Sequence, residues 1–178
     1  VQTCALPICL SDPLIYEAFT YYEREVLPYK NDDIINAHAM PGAHAALQAV
    51  QDAGLRYALF TNPSFPQGAI ECRMGWGDLA DAPFELVTHM GNATRCKPDA
   101  TYYLEQLQVM GLEPHEVLMV GNDPKRDFPS PACGIQTAYV GQGKPSRATW
   151  CGTMEDFARD FNAVIEAFYE HQVAHELS

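Results

Sequence analysis

The sequence predicts an α/β fold built on a doubly wound parallel sheet. Short apolar runs alternate along the chain with longer amphipathic stretches, the pattern of strands and helices laid down in turn. One such run, Val117-Leu-Met-Val-Gly121, leads straight into two acids, Asp123 and Asp127, as expected where a parallel strand ends at the ligand-binding edge of its sheet. At 178 residues and 47% hydrophobic content, the chain can bury one compact core.

Each element has a local reason. Residues 12–27 place Leu14, Ile15, Ala18, Phe19, Tyr22 and Val26 at helical spacing, and Pro28 ends the run. Residues 42–53 form a second helix with Ala43, Leu47 and Val50 facing inward and Gly54 as its cap. A strand over 55–61 follows at once, then a helix near 67–74 and a short strand at Phe84-Glu-Leu-Val-Thr88. A helix from Asp99 to Met110 is closed by Gly111 and precedes the strand at 117–121. Gln136-Thr-Ala-Tyr-Val140 is the last core strand. A C-terminal helix starts at Thr153, where Thr153 and Asp156 resemble a capping box. No repeat or low-complexity segment interrupts this order.

Composition excludes several classes of function. The net charge of -12 argues against a nucleic-acid backbone as partner, since phosphate contacts are made mainly by Lys and Arg. No apolar stretch approaches the ~18 residues of a membrane span, and no secretory signal is visible. Cys9, Cys72, Cys96, Cys133 and Cys151 are widely spaced without a Cys-x-x-Cys pair, so neither a zinc knuckle nor a redox motif is indicated, and reduced thiols in a cytoplasmic protein are the simplest expectation. His171 and His175 stand one helical turn apart, but the intervening Gln-Val-Ala lacks the glutamate of a zincin motif.

Three ordered motifs carry chemistry. Tyr57-Ala-Leu-Phe-Thr61 is an apolar strand ending in a hydroxyl, Cys96-Lys-Pro98 puts a lysine just before a helix, and Val117–Gly121 ends beside Asp123 and Asp127. Alone, a strand ending in Thr or a lysine before Pro is commonplace. In this order they resemble the haloacid dehalogenase superfamily of aspartate-nucleophile phosphohydrolases. The resemblance covers residues 40–141, with Thr61-Asn-Pro-Ser-Phe-Pro66, Cys96-Lys-Pro-Asp-Ala-Thr-Tyr-Tyr103 and Met119-Val-Gly-Asn-Asp123 as its local signatures.

The resemblance implies a division of labour. Thr61 and the backbone N–H of Asn62 would donate to a phosphoryl oxygen. Lys97 would stabilise charge developing in phosphoryl transfer from a solvent-accessible site. Asp123 and Asp127 would position Mg²⁺, which lets a dianionic substrate approach a carboxylate nucleophile. The implied substrate is a small phosphoester. The acidic pair favours phosphate over carbon–halogen chemistry, because the metal-free dehalogenases carry a less acidic motif there. Asn122 stands where the family pattern puts its first acid, leaving Asn122 and Asp123 as alternatives for facing the metal; the four-residue interval to Asp127 favours Asp123. Pro129 and Pro131 follow Asp127 closely and would delay or shorten the next helix.

The family's first motif, a strand followed by Asp-x-Asp-Gly-Thr, has no counterpart before Thr61. Val1-Gln-Thr-Cys-Ala-Leu-Pro-Ile8 reads as the translation of a sequencing-library adapter, so the natural sequence is expected to begin near Cys9. The expected organisation is an adapter-derived segment at 1–8, a helical cap remnant at 9–40, a Rossmann-like core at 41–152 and a C-terminal helix at 153–178. The core would lack its central first strand. A four-stranded parallel remnant, distorted beside Thr61 and Asp123 and poorly stable, is then expected. The chain would be an inactive fragment of a phosphohydrolase. A noncatalytic phosphate-binding or interaction protein on the same fold is the alternative. A response-regulator receiver domain fits less well, because its acids precede its Thr.

Overall fold

The computed structural model describes residues 12–31 and 36–176, the last three as backbone only. The adapter-like segment at 1–8 lies outside them. In chain order the helices are α1 (Pro13–Tyr21), α2 (Ala43–Asp52), α3 (Gln67–Trp76), α4 (Ala100–Met110), α5 (Met154–Arg159) and α6 (Phe161–Glu176). The strands are β1 (Leu118–Gly121), β2 (Gln136–Val140) and β3 (Trp150–Gly152). These elements form two compact units, one drawn from the chain up to Ala39 and from Ala58–Cys96, the other from Met40–Tyr57 and from Lys97 onward.

The second unit holds the α/β architecture. Its sheet runs β1-β2-β3, all parallel, with Leu118 opposite Gln136 and Ala138 opposite Trp150. Parallel strands share one carboxyl edge, so Gly121, Val140 and Gly152 end on the same side. The core joins Ala138 and Val140 of β2 to Ala46 of α2, Phe157 of α5, and Phe161 and Val164 of α6. Edge-to-face aromatic contacts order it, Trp150 to Phe157 at 5.4 Å and Phe157 to Phe161 at 5.8 Å between ring centroids.

Helix ends in this unit follow their sequences. Asp99 caps α4 by accepting from Thr101 N at 2.9 Å, and Gly111 ends it in the left-handed region. The predicted C-terminal helix is two helices. Thr153 and Asp156 form the capping box of α5: Asp156 N donates to Thr153 Oγ1 and Thr153 N to Asp156 Oδ2, both at 3.0 Å. Packing of α2 on α5 requires Gly42, whose φ is +83° and whose missing Cβ would lie 2.5 Å from Glu155 N.

The first unit departs further from expectation. The predicted strands at 55–61 and 84–88 form only one parallel bridge, Leu59 to Val87, so the four-stranded remnant is replaced by a three-stranded sheet of different membership. The ladder stops because Thr61 N donates to the side-chain Oγ1 of Thr88 at 2.7 Å instead of to a backbone carbonyl. β3, only three residues after a Gly- and Pro-containing loop, is the strand that sequence periodicity missed. Helix α1 continues through a π-helical turn, Tyr22–Val26, and a 3₁₀ turn, Leu27–Tyr29. Its apolar face stays open, with Leu14 77% and Phe19 40% exposed.

Among the described residues no helix is long and apolar enough to cross a membrane. Cys72, Cys133 and Cys151 carry free thiols, whereas Cys96 is disulfide-bonded, against the reduced-thiol expectation.

Two tests follow from this packing. Gly42→Ala should cost roughly 2 kcal/mol or more, since it adds left-handed strain to a clash with α5 backbone, and the urea midpoint should fall accordingly. The Asp156 carboxyl is held down at about 2, against its ordinary 3.8, first by the Thr153 backbone N–H, then by the Thr153 hydroxyl and Arg159. Between those values the folded chain binds fewer protons than the unfolded chain, so this stabilisation is complete above about 4 and fades as pH falls towards 2. Thermal unfolding followed against pH should show that loss, and Asp156→Asn should remove it.

Candidate functional site

The carboxyl end of β1 is built around Asp127. After Gly121 the chain makes one helical turn: Asp127 N donates to Asp123 O at 2.7 Å and Arg126 N to the same carbonyl at 3.1 Å. That turn folds the Asp127 side chain back onto the strand end. Its Oδ2 accepts from Asn122 N at 3.1 Å and Asp123 N at 2.9 Å. Only glycine permits this approach at position 121, because a Cβ there would lie 2.5 Å from Asp127 Cβ and 2.8 Å from its Oδ2.

Lys97 reaches the other carboxylate oxygen. Its Nζ donates to Asp127 Oδ1 at 2.7 Å, and the two side chains are only 11% and 13% exposed. The solvent-accessible lysine expected from sequence is therefore a largely enclosed ion pair, because the loop before α4 lays the side chain against the β1 end. Burial raises the cost of separating such a pair.

Asp123 is held differently. Its Oδ1 accepts from Lys125 N at 3.0 Å and Arg126 N at 3.2 Å, which fixes the turn, while Oδ2 meets Arg126 Nε at 3.6 Å with that carboxylate 43% exposed. Asn122 is exposed, and its backbone N–H is what reaches Asp127.

The loop after Asp127 is held by its carbonyls. The hydroxyl of fully buried Tyr103 donates to Asp127 O, and Arg147 Nη2 donates to Phe128 O at 3.2 Å and to Pro129 O. Burial, reinforced by Tyr102 and the Asp127 carboxylate, pushes the Tyr103 phenol far above its ordinary value, so the hydroxyl remains a donor. Sequence reasoning missed both residues as supports. Tyr103 sits within the Cys96–Tyr103 signature, but nothing in the sequence announces Arg147.

Thr61 and Asn62 belong to the first unit. The Thr61 hydroxyl donates to Thr88 O at 2.6 Å, while the buried Thr88 hydroxyl lies 3.2 Å from Thr61 O. Asn62 is exposed, and its carbonyl accepts from Ser64 N at 2.7 Å. Thr88 is a second residue the sequence did not single out. It closes the turn that presents Thr61 and Asn62.

A hard cation takes oxygen donors, and Mg²⁺ commonly uses one or two carboxylates with waters and a phosphate oxygen. Asp123 and Asp127 match that donor type, with Asp123 the less engaged. Among the described residues no group of three or more His, Cys, Asp or Glu could hold a metal. The second unit thus brings Lys97, Asp123 and Asp127 to one strand end, an arrangement suited to holding charge beside an anionic group.

Residues 11–133 match the haloacid dehalogenase-like hydrolase family. A phosphoglycolate phosphatase of Rhodospirillum rubrum is 30% identical over 115 residues, 65% of this chain and 46% of that protein. The chain therefore spans about half the length of the curated relative it matches. Among solved structures, a β-phosphoglucomutase of Clostridium difficile aligns with a TM-score of 0.63 at 16% identity, over 90% of this chain and 67% of its own. A haloacid dehalogenase family hydrolase of Deinococcus radiodurans, solved with bound phosphate and sodium, aligns with a TM-score of 0.58 at 18% identity, over 85% and 75%. At those identities the structural likeness speaks for the fold alone.

The Gly121–Asp127 approach yields a direct test. Gly121→Ala should push Asp127 off the strand end and speed hydrogen exchange of the Asn122 and Asp123 amides by about tenfold, as expected for hydrogen bonds worth ~1.4 kcal/mol. Unchanged exchange at both amides would mean that Asp127 does not depend on the missing Cβ.

Proposed function

The chain belongs to the haloacid dehalogenase-like hydrolases, and from that premise we propose that it carries the charge-handling part of a phosphohydrolase site for a small phosphoester. The Lys97–Asp127 pair at the end of β1, with Asp123 one turn away, carries this proposal. In it Lys97 offsets charge on a phosphoryl group. Asp123 and Asp127 would hold Mg²⁺. The ion would supply positive charge that lets a phosphate dianion come close to a carboxylate.

The reaction class is transfer of the phosphoryl group to an aspartate, followed by hydrolysis of the aspartyl-phosphate. The sequence contains no Asp-x-Asp before Thr61. In our proposal this chain by itself therefore turns over no phosphomonoester. That same feature favours a second function, phosphate binding without turnover.

Lys97→Ala leaves the Asp127 carboxylate largely enclosed without its cation and should cost about 3 kcal/mol of stability. Lys97→Met with Asp127→Asn removes both charges together and should cost less.

The function is tested with purified chain, p-nitrophenyl phosphate, phosphoglycolate and Mg²⁺. No phosphate release above background is expected with either substrate. Binding of inorganic phosphate, followed by amide shifts at Asp123 and Asp127, is expected to weaken in the Lys97→Met/Asp127→Asn variant. Robust Mg²⁺-dependent release would show that a nucleophile is present after all, whereas phosphate binding indifferent to the double substitution would remove Lys97 and Asp127 from the site.

A further inference from the structure

A cleft of about 510 Å³ opens in the second unit, away from the Asp123–Asp127 turn. It lies where the 3₁₀ turn Pro114–Glu116 enters β1 and where Gln136 and Thr137 begin β2, which is the amino edge of the parallel sheet. The Asp123–Asp127 turn follows Gly121, at the carboxyl edge. The two places are therefore at opposite ends of β1. The cleft is within the usual size range for small-molecule sites, roughly 300–1,000 Å³.

Its chemistry runs against that of the whole chain. The sequence carries a net charge of -12, yet among the described residues no Asp or Glu lines the cleft, while Arg147, His115 and His171 all do. Pro131 and Ile135 supply an apolar wall, and Thr149 adds a hydroxyl. Arg147 spends Nη2 on the carbonyls of Phe128 and Pro129. Those two bonds anchor the guanidinium in place, and a guanidinium has five N–H donors, so donors remain for a ligand. An anchored fork of this kind is the group that best matches a carboxylate or phosphate oxygen pair.

We propose that this cleft is a binding site for a small oxyanion with an apolar body, its carboxylate or phosphate head on Arg147 and its body against Pro131 and Ile135. His115 and His171, both exposed, add positive charge at the mouth when protonated. On a chain of net charge -12, a cleft lined by Arg147, His115 and His171 is a place where such ligands concentrate. The site stands apart from the proposed phosphohydrolase chemistry, which neither requires it nor explains it.

The test is a titration of the full chain at pH 6, read from the amide signals of Ile135 and Thr149. The probes are benzoate, phenyl phosphate, inorganic phosphate and benzyl alcohol. Benzoate, phenyl phosphate or both should shift those signals saturably, and which of them binds tells a carboxylate head from a phosphate head. Benzyl alcohol and inorganic phosphate should bind more weakly, because each lacks one half of the ligand. Arg147→Met should weaken binding at least about tenfold, the loss expected for one charge-assisted pair.

Because Arg147 also holds the loop after Asp127, that variant could fold poorly. The double variant His115→Ala/His171→Ala removes only exposed groups and should weaken binding several-fold. No saturable shift with either aromatic anion, equal binding of benzyl alcohol, or affinity unchanged in a folded variant would overturn the proposal.

Discussion

Asp127 is held from four directions, and the arrangement at the end of β1 depends on it. Lys97 takes one carboxylate oxygen, the amides of Asn122 and Asp123 take the other, the Asp127 N–H closes the turn onto Asp123, and the Tyr103 hydroxyl holds its carbonyl. The seat of its side chain against the strand end requires that position 121 lack a Cβ. A carboxylate enclosed to this degree is costly in isolation, and these contacts are what make it tolerable. The acid is therefore the structural keystone of its own loop.

The loop that follows extends this logic away from the strand end. Phe128 and Pro129 are buried, and their carbonyls meet Arg147, whose own carbonyl accepts from Thr137 Oγ1 at 2.6 Å in β2. A connection between parallel strands must travel the length of the sheet. Here it does so as irregular backbone with one 3₁₀ turn, Pro131–Cys133, and side chains satisfy carbonyls that a longer crossover helix would have bonded internally. Arg147 thereby links the carboxyl-edge turn to the cleft at the amino edge.

The two units differ in how completely they use their apolar residues. In the second, Phe157, Phe161 and Val164 are buried against β2 and α2. In the first, α1 contributes no buried residue, although its apolar spacing is regular. Helical periodicity states that a face is apolar, and only a partner element can cover it.

The sequence by itself determined what local pattern can determine. Apolar runs set β1 and β2 nearly to the residue, caps such as Asp99, Gly111 and Thr153 set helix ends, and the order of Thr61, Lys97, Asp123 and Asp127 pointed to the family that residues 11–133 match. The tertiary structure decided everything that relies on groups distant in the chain. It reduced the 55–61 and 84–88 segments to a single bridge, because the Thr88 side chain takes the Thr61 amide that a ladder would have used. It recruited Tyr103 and Arg147 as supports of the Asp127 loop, and it added β3, a three-residue strand too short for periodicity to register. It also enclosed Lys97, which the sequence placed in solvent. Spacing along a chain records which side chains share a helix or strand face. Burial and ion pairing are set by what lies across from that face, and the sequence order does not carry that distance.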